Sequence, residues 1–206
     1  MDIESFDLRK EIRFDRNKGM VTFQENRLVL FDANAMGLLR QNLIDELGLE
    51  KARQFFIRFG FQNGYSDFLQ VKLNYSFKTE EELFVMGPKM HSWEGIVGVE
   101  LTDLKLNRQD GEFFMRGIWK NSYEAQQHLC FNEVSEDPVC WSLMGYASGW
   151  STALMEKPIM VSEIQCEGQD KEYCIFEGRF LNDWDNTETL KQSLLPFFKQ
   201  LALLEG

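Results

Sequence analysis

Histidine is scarce in this chain, with two in 206 residues, and there are only four cysteines and four prolines. Two histidines leave no room for a histidine-rich metal centre. Basic residues are also in short supply: 22 Lys and Arg against 33 Asp and Glu give a formal charge of −11. An acidic chain has no electrostatic footprint for nucleic acid or for an anionic membrane. No apolar run approaches ~20 residues, and the opening stretch lacks a basic and then apolar leader, so neither a membrane span nor a signal peptide is expected. The cytoplasm is the expected location, where four cysteines act as thiols or metal ligands rather than disulfides. No Ser/His/Asp order, phosphate-binding glycine loop or dinucleotide fingerprint is present, so nothing in the residues by themselves demands an enzyme.

Aromatic residues are abundant instead. Phenylalanine alone occurs 18 times, and hydrophobic residues make up 44% of the chain. That composition suits a core or pocket with much flat apolar surface.

Periodicity then divides the chain. Short strands are predicted at Glu11–Asp15, Met20–Gln24 and Leu28–Phe31, and Asp32 or Asn34 caps a helix ending at Gly48. A second helix runs from about Glu50 to Leu73. Gly60 and Gly64 lie one turn apart on it and permit close approach of another backbone. Thr79 and Glu82 open a third helix that ends near Gly87-Pro88. Strands follow at Gly95–Leu106 and Glu112–Trp119, while residues 122–130 fit no single pattern. Asp137-Pro138 opens a helix reaching about Glu156. A last strand pair, Ile159–Cys166 and Glu172–Phe180, precedes an amphipathic helix at Thr187–Leu204. Strands meet through hairpins, which predicts an α+β fold of antiparallel hairpins packed with helices. A boundary near residue 88 separates residues 1–88 from 89–206.

Three cysteines and one glutamate are spaced C-x22-E-x2-C-x7-C, at Cys140, Glu163, Cys166 and Cys174. Thiolates with a carboxylate can complete a tetrahedral zinc site. Spacing does not settle the set. Cys130 competes as a ligand, Glu163 can be an ordinary solvated strand residue, and free cysteines are often small buried hydrophobes. His91 and His128, taken alone, read as loop or surface residues, and Trp119 reads as core.

Several segments resemble a known family: Gly87–Gly95 (GPKMHSWEG), Asp137–Gly149 (DPVCWSLMGYASG) and Glu163–Cys166 (EIQC). Leu49–Arg53, Phe56–Gly64 and the stretch from Gly111-Glu112-Phe113 to Ile118-Trp119 add to it. Together they are similar to the N-terminal sensory region of sigma-54-dependent activators of aromatic catabolism, the phenol- and xylene-responsive regulators. The likeness spans about residues 10 to 185.

The resemblance implies a first part (1–88) that shapes homodimerisation and the ligand entrance. It implies a second part (89–206) that is a zinc-containing lobe of the 4-vinyl-reductase type. It fixes Cys140, Glu163, Cys166 and Cys174 as ligands of a structural zinc, without Cys130. It makes His91 and Trp119 the partners of a phenolic hydroxyl, with Phe84, Leu101, Gly117, Met144 and Val161 as the apolar wall. Gly117 departs from the bulky residue expected of phenol sensors, which implies a roomier pocket. The implied function is a sensory domain that binds a small aromatic effector and so relieves repression of an ATPase domain. The ATPase and DNA-binding domains of the full-length regulator are then its partners. An enzyme or an assembly module of the 4-vinyl-reductase fold is the alternative.

Overall fold

The computed structural model describes residues 6–185 and 188–201. A one-turn helix, α1 (Leu8–Glu11), leads into a small antiparallel sheet of β1 (Ile12–Asp15), β2 (Met20–Phe23) and β3 (Asn26–Leu28). The third strand comes earlier than its predicted 28–31. Gln24 takes a left-handed φ of 51°, which makes a two-residue turn and pairs Phe23 with Asn26 at once. Val29, Leu30 and Phe31 are left exposed. Tyr75 anchors this sheet: its hydroxyl donates to Glu11 Oε2 at 3.0 Å and accepts from Gln24 Nε2 at 2.6 Å.

Helices α2 (Ala33–Leu47) and α3 (Leu49–Asn74) follow, with Asp32 as the N-cap of α2 through its bond to the Ala35 amide. Helix α4 (Glu80–Trp93) is opened by Thr79 as expected, but it does not stop at Gly87-Pro88. A proline cannot donate to the carbonyl four residues back, so Pro88 leaves the Phe84 carbonyl open. The indole Nε1 of Trp150 takes that carbonyl at 3.0 Å. With the lost bond replaced from outside, the helix continues to Trp93 and carries His91 on a buried helix face rather than in a loop. The 88/89 boundary thus falls within a helix.

The main sheet is antiparallel in the order β4 (Gly98–Asn107), β5 (Glu112–Lys120), β7, β6, where β6 is Ile159–Gln165 and β7 is Cys174–Phe180. Between its two hairpins lie α5 (Tyr123–Phe131) and α6 (Trp141–Met155). Helix α5 occupies the stretch without a clear period, with Ser122 accepting from the Ala125 amide. Helix α6 begins three residues later than Pro138, because Val139 and Cys140 are held by other groups. Helix α7 (Glu188–Gln200) packs on α3 and β6; the last residues of its predicted span lie outside the described residues.

α4 and α6 cover one face of the main sheet, and α3 lies behind α6. Every residue of α6 except Ala147 is buried. A helix enclosed all round needs thin sides. Gly60 and Gly64 of α3 face Gly145 and Gly149 of α6 so tightly that a Cβ on any of the four would sit 2.1 Å from a carbonyl oxygen of the other helix. The expected close approach at Gly60 and Gly64 is thereby met by a matching pair. Glycine costs helix stability by itself, about 1 kcal/mol relative to alanine, and here backbone-to-backbone packing offsets it.

β6 is an edge strand whose outer side is closed by α6 side chains. Ser148 Oγ accepts from the Val161 amide at 2.8 Å and donates to the Met144 carbonyl, while Thr152 Oγ1 bonds both backbone groups of Ile159. Gly145→Ala is therefore expected to destabilise the fold by about 2–3 kcal/mol or more through overpacking. Urea denaturation would check this, and a change below about 0.5 kcal/mol would contradict the backbone contact.

Candidate functional site

Two sites share one face of the main sheet. Along β5 the buried residues alternate, Phe113, Met115, Gly117 and Trp119, so all point the same way. Across the ladder Trp119 pairs with Cys174 and Gly117 with Phe176.

The first site is the cluster of Cys140, Glu163, Cys166 and Cys174. All four are buried, and their ligand atoms lie within 4.8 Å of one another. The three sulfurs form an even triangle, each Sγ–Sγ distance 3.8 Å. That is far beyond a disulfide bond of about 2.05 Å. Glu163 Oε2 accepts from the Cys140 amide at 3.0 Å, and Oε1 is buried with no hydrogen-bond partner among the described residues. Burial pushes both the Cys140 thiol and the Glu163 carboxyl up from their ordinary values. Four acidic groups in one dry spot cannot all ionise against each other unless a cation joins them. The donor set thus fits a metal ion, with the orphaned Oε1 as its fourth position. Amides support the sulfurs: Gly168 donates to Cys166 Sγ and Glu167 to Cys174 Sγ, both at 3.3 Å. Cys130 is exposed and is not part of the cluster.

The N-terminus of α6, which bears Cys140, is held by two charges that sequence reasoning passed over. Glu124 of α5 accepts from the Ser142 amide at 2.9 Å and the Leu143 amide at 3.3 Å, filling the open donors of the first turn. Arg40 of α2 donates to the Val139 carbonyl at 2.8 Å, and its guanidinium lies 3.6 Å from the centroid of the Trp141 ring. Arg40 Nη1 and Glu124 Oε1 are 3.9 Å apart, both side chains nearly inaccessible. An isolated Arg or Glu in sequence has no period to betray it. His128 is likewise buried rather than exposed, with Nε2 3.1 Å from the Glu133 carbonyl.

The second site is an apolar cavity between α4, α6 and the sheet. Its volume is about 30 Å³, where one water needs roughly 10–15 Å³. Four residues expected at a ligand site line it together: Phe84, His91, Leu101 and Trp119. Gly117, Met144 and Val161 do not. The ring of Phe176 occupies the space above Gly117, where a Cβ would come within 2.6 Å of it, and so fills the room that a glycine was expected to leave. Phe176 stacks on Trp119 with centroids 4.6 Å apart. From α6 come Tyr146, Trp150 and Ser151, none of them expected at a ligand site. The Tyr146 ring lies 3.6 Å from that of His91. Burial lowers the His91 pKa to about 3, so its imidazole is neutral at neutral pH, with one donor and one acceptor nitrogen.

A thiolate-and-carboxylate cluster able to hold a metal lies beside an aromatic-lined cavity, on an antiparallel sheet under two helices. Comparison with known proteins gives the family. The family model described as activator of aromatic catabolism matches residues 7–107. The phenol regulator MopR of Acinetobacter guillouiae is 38% identical over 195 residues, covering 92% of this chain and 34% of that protein. The transcriptional regulatory protein XylR of Pseudomonas putida is 31% identical over 188 residues, 90% of this chain and 33% of its own length. The chain therefore spans about a third of these relatives. The crystal structure of the phenol-responsive sensory domain of the transcription activator PoxR with phenol superimposes with a TM-score of 0.84 at 33% identity, covering 97% of this chain and 94% of that one. The chain belongs to the activator of aromatic catabolism family. The matched proteins are transcriptional regulators.

Replacing Glu124 with alanine leaves Arg40 buried without its counter-charge and uncaps α6. A loss of about 3–5 kcal/mol is expected, read by thermal or urea unfolding; a loss under 1 kcal/mol would exclude the capping role.

Proposed function

We propose that this chain is the ligand-sensing domain of a transcriptional activator and binds a small phenolic aromatic in the cavity between α4, α6 and the main sheet. The observation that carries this reading is the meeting of His91 and Trp119 in one apolar cavity, in a chain that matches a phenol-bound sensory domain over nearly its whole length. A phenol leaves water only if its hydroxyl finds a partner. The neutral imidazole of His91 can accept that proton, and the Trp119 indole can donate to the oxygen. Phe84, Leu101 and Phe176 surround the ring. Binding there is taken to be coupled to movement of the lining rings. A sensor needs such coupling, because a ligand shifts an equilibrium only by binding one arrangement better than another. In a full-length regulator this shift would relieve repression of an ATPase domain and act through a DNA-binding domain, all in the cytoplasm.

The metal is proposed to be zinc in a structural role. With Zn–S bonds of ~2.3 Å a tetrahedron has S–S edges of about 3.8 Å, which the sulfur triangle matches. Four protein ligands leave no position for a reactive water. When bound, the ion supplies a crosslink between the start of α6 and the β6–β7 hairpin. Residues 1–88 are proposed to serve dimerisation and ligand entrance, and 89–206 to form the zinc-bearing sensing part. The exposed Leu30, Phe31, Leu38, Leu39, Phe55 and Phe59, all in the first part, support a homodimer contact there.

His91→Ala is expected to weaken phenol about tenfold, the value of one hydrogen bond, while toluene binding is unchanged or stronger. Titration calorimetry would separate the two, and an equal loss for both would remove the hydroxyl role. Metal analysis is expected to find about one zinc per chain. Cys166→Ser is expected to lose the ion and to lower the melting temperature, because binding a structural ion is coupled to folding. A metal-free wild-type protein with an unchanged melting curve would overturn the zinc reading.

A further inference from the structure

Helix α6 buries five hydroxyl side chains against the sheet and neighbouring helices: Ser142, Tyr146, Ser148, Ser151 and Thr152. Four are accounted for. The Tyr146 hydroxyl interacts with the Asp67 carboxyl. Ser148 and Thr152 close the edge of β6. Ser142 interacts with Tyr123 and Glu124 at the start of the helix. Ser151 is the exception. It is 1% exposed, and its Oγ has no hydrogen-bond partner among the described residues. A helical serine has an easy local option, the carbonyl one turn back, which Ser148 uses and Ser151 does not. An unmatched buried hydroxyl costs about 1–3 kcal/mol, so such groups are nearly always matched by something. Ser151 also lines the aromatic cavity, on the same face of α6 as Tyr146 and Trp150.

We infer that Ser151 is a second polar anchor of the cavity, and that the pocket selects aromatics carrying a second hydrogen-bonding substituent besides the phenolic hydroxyl. This rests on the phenol reading above. His91 belongs to α4, Trp119 to β5 and Ser151 to α6. One hydroxyl held by the first two residues leaves another ring position to the third wall. A hydroxyl is both donor and acceptor, so a second phenolic hydroxyl or a similar small polar group satisfies it. A methyl or hydrogen at that position leaves the Oγ unmatched, and a site built to bond a substituent discriminates against the analogue lacking it.

The test is calorimetry of wild type and Ser151→Ala with phenol, the three dihydroxybenzenes and the matching cresols. Wild type is expected to bind one dihydroxybenzene about tenfold more tightly than its cresol counterpart. Ser151→Ala is expected to abolish that preference, weakening the favoured dihydroxybenzene about tenfold more than phenol. Its melting temperature is expected to equal or exceed that of wild type, since an unmatched hydroxyl has been removed. Three outcomes overturn the inference with the phenol reading intact: no dihydroxybenzene preferred by wild type, a preference that survives in Ser151→Ala, or equal weakening of phenol and diol, which marks a site filled by water. Failure of every compound to bind wild type overturns the phenol reading and this inference with it.

Discussion

Helices α3 and α6 touch backbone to backbone, and the remainder of the architecture is arranged around that contact. Gly60 and Gly64 on one side and Gly145 and Gly149 on the other bring carbonyl oxygens to within 2.1 Å of where a Cβ would stand. Such proximity lets a helix with almost no exposed surface lie between α3 and the sheet. It also frees the remaining faces of α6 for other tasks. One face ends the sheet by bonding β6, another lines the cavity, and the N-terminal end bears Cys140. Small residues at a helix crossing allow weak Cα–H···O contacts as well, but the main gain is burial of the large side chains beside them, Phe61, Trp150 and Leu154 among them.

The cysteine–glutamate cluster and the cavity are neighbours on the sheet. Trp119 of the cavity stands opposite Cys174 of the cluster, and Phe176, two residues along β7, stacks on Trp119. A displacement of β7 would be felt at both. The start of α6 is fastened three times over: by Glu163 on the Cys140 amide, by Glu124 on the next open amides and by Arg40 on the Val139 carbonyl. Arg40 belongs to α2 and Glu124 to α5, so the first part of the chain reaches the cluster through buried charge. Removing either partner of such a pair is costlier than the pair is worth, which makes the arrangement a strong constraint on how α2 can move.

Much of this organisation could be read in advance, and the exceptions have identifiable causes. Helix spacing in α2, α3 and α6 and the alternation in β4–β7 are local signals that survive in the fold. Pro88 misled because a proline normally ends a helix, and the Phe84 carbonyl it orphans is rescued by Trp150, 66 positions away. Val29–Phe31 misled because β propensity assumes a half-buried surface, and no partner covers them among the described residues. Gly117 suggested empty space, but its cross-strand neighbour Phe176 claims it. Ser151, Glu124 and Arg40 bear no periodic mark, so only their surroundings show their roles.

By itself the amino-acid sequence determined the α+β class, the paired glycines of α3 and the motifs that tie the chain to its family, because those depend on residue spacing along a helix or strand. The tertiary structure alone decided that α4 continues through a proline, that Arg40 and Glu124 hold the start of α6, and that Ser151 joins His91 and Trp119 at one cavity. Each of these needs groups far apart in the chain to exclude water together. Local periodicity cannot encode which distant side chain will supply a missing hydrogen bond or fill a gap; the packing of α3, α6 and the sheet decides that.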